Sequence, residues 1–177
     1  MSKFSGAFTL YGGLSLRLVA PSDDDFLVQL FIDVRPWLSW VEGGRDFIRH
    51  LYEQQYKIMR AGQEGVYPEH LDFVIEKAGQ RIGRLVIDLG YADWRISELQ
   101  LISQVQSKGI GTNLLRSLQA AAGNATIPIT LSTPMDFFSA KTFYEQLGFR
   151  VTAVEPPVYH MAWFPPRHPM ASPQIIS

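Results

Sequence analysis

The stretch Gln106-Ser107-Lys108-Gly109-Ile110-Gly111 decides how the rest of the chain is read. An apolar run, Leu99 to Ile102, leads into it. A run with Ile110, Leu114, Leu115 and Leu118 on one helical face leaves it. A glycine-rich turn between a strand and a helix exposes unpaired backbone N–H groups, and the helix dipole adds partial positive charge. Such a terminus binds phosphate groups. Gly109 and Gly111 let the main chain approach an anion with no Cβ in the way, and Lys108 can add a point charge.

Two familiar phosphate loops do not fit. No G-x-x-x-x-G-K-[ST] run occurs in the chain. A dinucleotide fingerprint needs a third glycine where Leu114 stands, and an acidic residue near the place of Leu131. What remains is Q-x-x-G-x-G between a strand and a helix.

The 177 residues suggest a single domain with a sizeable core. Hydrophobic content of 46% and charged content of 19% are those of an ordinary globular protein, and a net charge of −1 gives no electrostatic case for nucleic acid or an anionic membrane. The absence of cysteine excludes disulfides, thiolate nucleophiles and cysteine-bound metals, and fits a cytoplasmic location. No apolar run reaches a membrane span, and no basic-then-apolar leader opens the chain.

In chain order, residues 1–13 read as a lead-in. Leu14 to Leu18 alternates as a first strand. Ser22 is expected to cap a helix, with Asp25 completing a capping box and Pro36 ending the helix. Capping also explains the run Asp23-Asp24-Asp25 without a metal. A second helix is expected over roughly Arg45 to Arg60. Trp37, Trp40 and Tyr67, aromatic residues in loops around it, are where a substrate pocket could sit. Leu71–Glu76, Arg81–Asp88 and Trp94–Ser103 form an antiparallel meander. A helix over Gly109–Ala122, closed by Gly123-Asn124, crosses to a strand at Thr126–Ser132, which must then lie parallel to Trp94–Ser103. A helix over Ser139–Leu147 and strands at Phe149–Val154 and Val158–Phe164 complete a domain spanning 14–164. The tail, 165–177, is proline-rich and expected to be extended. The fold expected is mixed α/β (α+β): an antiparallel meander, then a parallel crossover strand, flanked by about four helices.

Over roughly Leu14 to Phe164 this order resembles the GCN5-related N-acetyltransferase (GNAT) superfamily. Three features carry the likeness: Leu99-Gln100-Leu101-Ile102-Ser103 leading into Gln106-x-x-Gly109-x-Gly111; Ala140-x-x-Phe143-Tyr144-Glu145-x-Leu147-Gly148-Phe149; and a closing strand, Tyr159-His160-Met161-Ala162-Trp163. Phe137 and Phe138 fill the region where the family often has an asparagine, and Ser103 stands where it often has a proline.

The resemblance implies direct acyl transfer from acetyl-CoA to an amine of a small molecule or protein, with a non-catalytic acyl-CoA-binding module as the alternative. It implies that Gln106, Ser107, Lys108, Gly109, Ile110, Gly111 and Thr112 hold the pyrophosphate. The backbone of Leu101, Ile102 and Ser103 would pair with the pantetheine arm and steady the developing oxyanion. Tyr144 would protonate the leaving thiolate. An alkyl amine must lose a proton before it attacks, at a cost of roughly 4–5 kcal/mol near neutral pH. Glu98 shares a sheet face with Gln100 and is the candidate base; His70 and His160 are held in reserve. No metal is expected, and a homodimer is left open.

Overall fold

The structure, a computed structural model, describes residues 6–40, 42–63 and 67–171. Its strands are β1 (Ala7–Thr9), β2 (Leu14–Leu18), β3 (Glu69–Lys77), β4 (Gln80–Leu89), β5 (Trp94–Leu101), β6 (Ile129–Pro134), β7 (Arg150–Glu155) and β8 (Val158–Trp163). They form one sheet in the order β1-β2-β3-β4-β5-β6-β8-β7. Every neighbouring pair is antiparallel except β5–β6, which is parallel. The helices are α1 (Asp24–Asp33), α2 (Gly44–Gln63), α3 (Ile110–Ala125) and α4 (Phe138–Gln146). The expected architecture is the observed one.

Strand alternation sends the core to both faces of the sheet. Phe73, Ile75, Leu85 and Ile87 point to one face, where Ile110, Leu114, Leu115 and Leu118 of α3 complete the larger core. Val74 points to the other, against Leu27, Val28 and Phe31 of α1 and Tyr52 of α2.

Several local expectations are corrected. Part of the lead-in is a strand: β1 pairs with β2, and residues 1–5 lie outside the described residues. Ser22 does not cap α1. A 3-10 turn, Pro21–Asp23, precedes that helix, and the Asp23 carboxylate takes the Ala20 N–H at 2.8 Å. Helix α3 runs through Gly123 to Ala125 and stops at Thr126, which takes the left-handed conformation at φ 57°. Helix α2 extends to Gln63. In the tail, His168 N–H bonds Pro165 C=O and Ala171 N–H bonds His168 C=O, so 165–171 is turned rather than extended, and 172–177 lies outside the described residues.

Two irregularities of the sheet position the site. The first is a register shift between β4 and β5: Val86 faces Glu98 but Ile87 faces Ile96, so Ser97 is the extra residue of a bulge. This bulge keeps Glu98 and Gln100 on the α1/α2 face while Ile96 joins the opposite core. The second is a seam. β5 and β6 pair only at Trp94–Ile129, Arg95–Thr130 and Ile96–Leu131. Beyond Ile96, β5 stays with β4 as far as Leu101; beyond Leu131, β6 stays with β8 as far as Pro134. Facing edges that separate in mid-sheet leave ladder groups free to pair with something else.

Candidate active site

The glycine loop stands at the mouth of this seam. Ser107 (φ 61°) and Gly109 (φ 78°) are left-handed on either side of Lys108. Alternating handedness of this kind turns successive N–H groups toward one side, a concavity suited to an anion. Among the described residues no acceptor takes the N–H groups from Ser107 to Thr112; the first turn of α3 closes only at Asn113 N–H to Gly109 C=O, 3.0 Å. A Cβ on Gly109 would meet open space, so glycine is there for its backbone conformation. Gly111 differs from expectation. A Cβ there would lie 3.2 Å from Phe143 Cζ, so this glycine lets α3 pack on α4 rather than making room for the anion. Lys108 is exposed and has no ion pair among the described residues.

The strand end is partly engaged. Ile102 N–H donates to Ile82 C=O at 2.9 Å, so the expectation that it pairs with a ligand amide is corrected: the antiparallel β4 partner already holds it. The Leu101 carbonyl accepts from Gln106 Nε2 at 3.0 Å. Gln106 therefore touches the strand, and a ligand amide at Leu101 would replace that bond. Ser103 opens a single 3-10 turn to Val105.

Tyr144 lies on α4, half-buried between Phe143 and Phe149, with ring centroids at 5.3 and 5.6 Å. Among the described residues, none forms a hydrogen bond with its hydroxyl. Burial pushes it up to about 12, and the negative charge of Glu98 adds to the rise. Tyr144 and Glu98 thus sense each other across the seam, although α4 packs on one face of the sheet and Glu98 points to the other. At neutral pH the phenol keeps its proton and can donate it.

Glu98 is enclosed. It accepts a short hydrogen bond from Gln100 Nε2, and Arg35 Nη2 lies 3.8 Å away. Beneath it, Arg84 makes a bidentate pair with Asp72, donates to Tyr52 Oη at 3.0 Å and lies 3.7 Å over the Tyr56 ring. Among the described residues, two buried polar atoms here have no partner, Gln100 Oε1 and Tyr56 Oη. Burial, then the Glu98 charge, pushes the Tyr56 hydroxyl well above its usual range. Buried polar groups are nearly always bonded, so two orphans around one carboxylate are capacity for further hydrogen bonds.

Sequence reasoning missed Tyr56, which reads as one more apolar position of the α2 stripe. The reserve histidines fall apart from each other. His70 Nδ1 meets buried Asp88 at 2.5 Å, and Ser97 Oγ donates to the other Asp88 oxygen at 2.5 Å, a clasp that holds the bulge. His160 lies across the seam on β8. Of the loop aromatics, Tyr67 donates to Asp93 at 2.9 Å, while Trp37 and Trp40 are exposed. Phe137 and Phe138 are exposed at the start of α4.

Residues 68–151 match the family model of the acetyltransferase (GNAT) domain. Those residues run from β3 through the seam, the glycine loop and α4 to the start of β7, so the segment that matches the GNAT domain model is the one that holds the candidate site. Among solved structures, the PaiA N-acetyltransferase of Thermoplasma acidophilum in complex with coenzyme A is similar at a TM-score of 0.63 and 16% identity, over 85% of this chain and 98% of that one. A variant of the spermidine N-acetyltransferase SpeG from Vibrio cholerae is similar at 0.59 and 20%, over 86% and 94%. The ribosomal-protein-S18-alanine N-acetyltransferase of Escherichia coli is similar at 0.56 and 14%, over 85% and 93%. At these identities the likeness is one of fold. No curated protein matches the sequence. Among the described residues, no helix is long and apolar enough to cross a membrane.

Proposed function

We propose that the protein is an N-acetyltransferase that moves the acetyl group of acetyl-CoA directly to an amine bound beside it. The observation that carries this reading is the open β5–β6 seam, with unpartnered amides at its mouth and an unpartnered tyrosine hydroxyl along it. A pantetheine arm is a chain of amides that can pair with free strand edges, and its pyrophosphate suits a helix N-terminus. The fit is one of chemistry: six successive N–H groups without acceptors, open space over Gly109, and free edges at Leu99–Leu101 and Ser132–Pro134.

In this reading the N–H groups of Ser107 to Thr112 and the Lys108 ammonium hold the diphosphate, and the main chain of Leu101 and Ser103 orients the arm. Bound acetyl-CoA supplies an activated acyl group with a thiolate leaving group. Tyr144 Oη gives its proton to the departing sulfur. Glu98, Gln100 Oε1 and Tyr56 Oη hold the acceptor nitrogen, and Glu98 takes its proton. The acceptor is a small-molecule or protein amine. SpeG and the S18-alanine enzyme, named for spermidine and for an alanine of a ribosomal protein, represent the two kinds.

The test is a screen of amines by CoA release, with acetyl-CoA affinity measured separately by calorimetry. Saturable acetyl-CoA binding together with CoA release that accelerates with at least one amine supports the reading. Saturable binding with a release rate that no amine changes supports an acyl-CoA-binding module instead. Absence of binding overturns both.

A further inference from the structure

One hydrogen-bonded cluster on the seam has no part in the reading above. Ser132 is the first residue of β6 beyond the last β5–β6 pair. Its Oγ lies 2.8 Å from His160 Nδ1 on β8, and His160 Nε2 lies 3.0 Å from Glu155 Oε2 at the end of β7. Leu131 and its partner Met161 belong to the core under α3. Alternation therefore puts Ser132 and its partner His160 on the other face, the one that carries Glu98 and Gln100. Glu98 thus stands on one bank of the seam and Ser132 on the other, on the same side of the sheet. Exposure rises outward along the cluster: Ser132 is half-buried, His160 is 31% exposed and Glu155 is 74% exposed.

We propose that Ser132, His160 and Glu155 form a proton wire that connects the acceptor side of the seam to solvent. The proposal rests on the acetyltransferase reading, because that reaction releases one proton from the amine for each acetyl group transferred. Glu98 is poorly placed to pass it on: its side chain is only 17% exposed and sits between Gln100 and Arg35. A hydroxyl bonded to an imidazole that is itself oriented by a carboxylate is the arrangement that moves protons efficiently. With the imidazole proton on Nε2, facing Glu155, Nδ1 is free to accept. Ser132 Oγ receives a proton from the seam and gives its own to His160 Nδ1. The Nε2 proton leaves by way of Glu155 to water. One proton enters, one leaves, and no bond to the acyl group is made.

The arrangement commits each member to a separate effect. Ser132→Ala breaks the wire at its inner end with almost no change in volume. His160→Gln removes the imidazole that relays the proton. Glu155→Gln loosens only the outer end, which water can replace.

The experiment is the pH–rate profile of amine-dependent CoA release from pH 6 to 9, for the parent chain and all three variants, with and without added imidazole. Expected is a loss of about tenfold or more at pH 6–7 for Ser132→Ala and His160→Gln, fading toward pH 9, where more of the amine is already neutral. Glu155→Gln should lose about threefold or less. Imidazole should restore part of the His160→Gln rate and leave the parent unchanged. A purely structural role would lower the rate equally at all pH values and would not respond to imidazole. Parallel profiles for both inner variants, with acetyl-CoA affinity and melting temperature intact, would overturn the wire while leaving the acetyltransferase reading in place. A parent chain whose CoA release ignores every amine would overturn that reading, and the wire with it. His160→Asn serves where His160→Gln fails to fold.

Discussion

Two of the polar clusters among the described residues are finished differently. At the β2 edge, Asp23 is 1% exposed and every bond it needs is supplied by the chain: Arg17 Nη1 and Nη2 at 2.7 and 2.8 Å, Ala20 N–H at 2.8 Å and Arg81 Nη1 at 3.3 Å. Arg17 reaches Glu76 as well, at 2.7 Å. Beside the seam, Glu98, Gln100 and Tyr56 share a similar enclosure, yet Gln100 Oε1 and Tyr56 Oη are left without partners. A closed cluster holds structure together. An open one costs stability until something occupies it, and folds carry that cost where function requires it.

The largest effect belongs to the closed cluster. Asp23→Ala strands two arginines and the Ala20 N–H. Breaking a buried pair typically costs 3–5 kcal/mol, and the part-exposure of Arg17 brings the expected loss to about 2–4 kcal/mol, read by urea denaturation. Catalytic constants of the folded variant should not move. The pH dependence has a definite sign. Arg17 first, with the Ala20 N–H and Arg81, holds the Asp23 carboxyl well below the usual carboxylate range. Its contribution is therefore complete above the unfolded pKa of about 4 and is lost as pH falls below that. The stability gap between parent and Asp23→Ala should be constant from pH 5 to 8 and should narrow on acidification below about pH 4. A gap that stays constant through that acid range would mean that the arginines do not hold this carboxylate.

Next comes Tyr144→Phe, which keeps the ring between Phe143 and Phe149. A roughly 10- to 100-fold drop in kcat is expected, with acetyl-CoA affinity nearly unchanged, because the interaction is made only in the transition state. A thiol with pKa near 8.5 already leaves well, which limits the loss. Because the hydroxyl is pushed up to about 12, it should impose no alkaline fall in rate below that pH. Unchanged turnover would make Tyr144 a packing residue.

Glu98→Gln is expected to lower kcat about tenfold at pH 6–7 and to recover toward pH 9. The amide keeps a hydrogen bond to Gln100 but cannot take a proton. A profile parallel to the parent's would remove Glu98 from proton handling and leave it a binding residue.

The smallest effect contrasts two tyrosines of α2. Tyr52 Oη accepts from Arg84 at 3.0 Å, whereas Tyr56 Oη has no partner. Tyr52→Phe should cost about 0.5–1.5 kcal/mol, while Tyr56→Phe should be neutral or stabilising by up to about 1 kcal/mol. Tyr56→Phe should instead raise the KM for the amine. If the two cost the same and neither KM moves, the open cluster is not an acceptor site.

The seam itself was not legible in the sequence. The crossover helix fixes β5 and β6 as parallel neighbours, but nothing in Leu99 to Ile102 says that pairing stops at Ile96. That follows from the bulge at Ser97 and from β6 staying with β8. What could be read was local: the glycine loop, the α3 face from Ile110 to Leu118, and the shared face of Glu98 and Gln100. Asp23 reads as part of an acidic run at a helix start because its real partners are not evident locally: Arg17 lies across a turn, and Arg81 lies beyond α1, α2 and β3. Ser132 and His160 are 28 residues apart and meet only across the β6–β8 ladder. Gly111 reads as a phosphate glycine for want of any sign that Phe143 lies beneath it. β1 is short and exposed, and offers no periodicity to detect.

The claim that joins these parts is that acetyl passes directly between two molecules held together at the seam. Initial rates measured over a matrix of acetyl-CoA and amine concentrations test it most directly. Expected are double-reciprocal lines that intersect, with acetylated amine formed in a one-to-one ratio to CoA. Parallel lines, the mark of an acetylated enzyme intermediate, or CoA formed without acetylated amine, would contradict it.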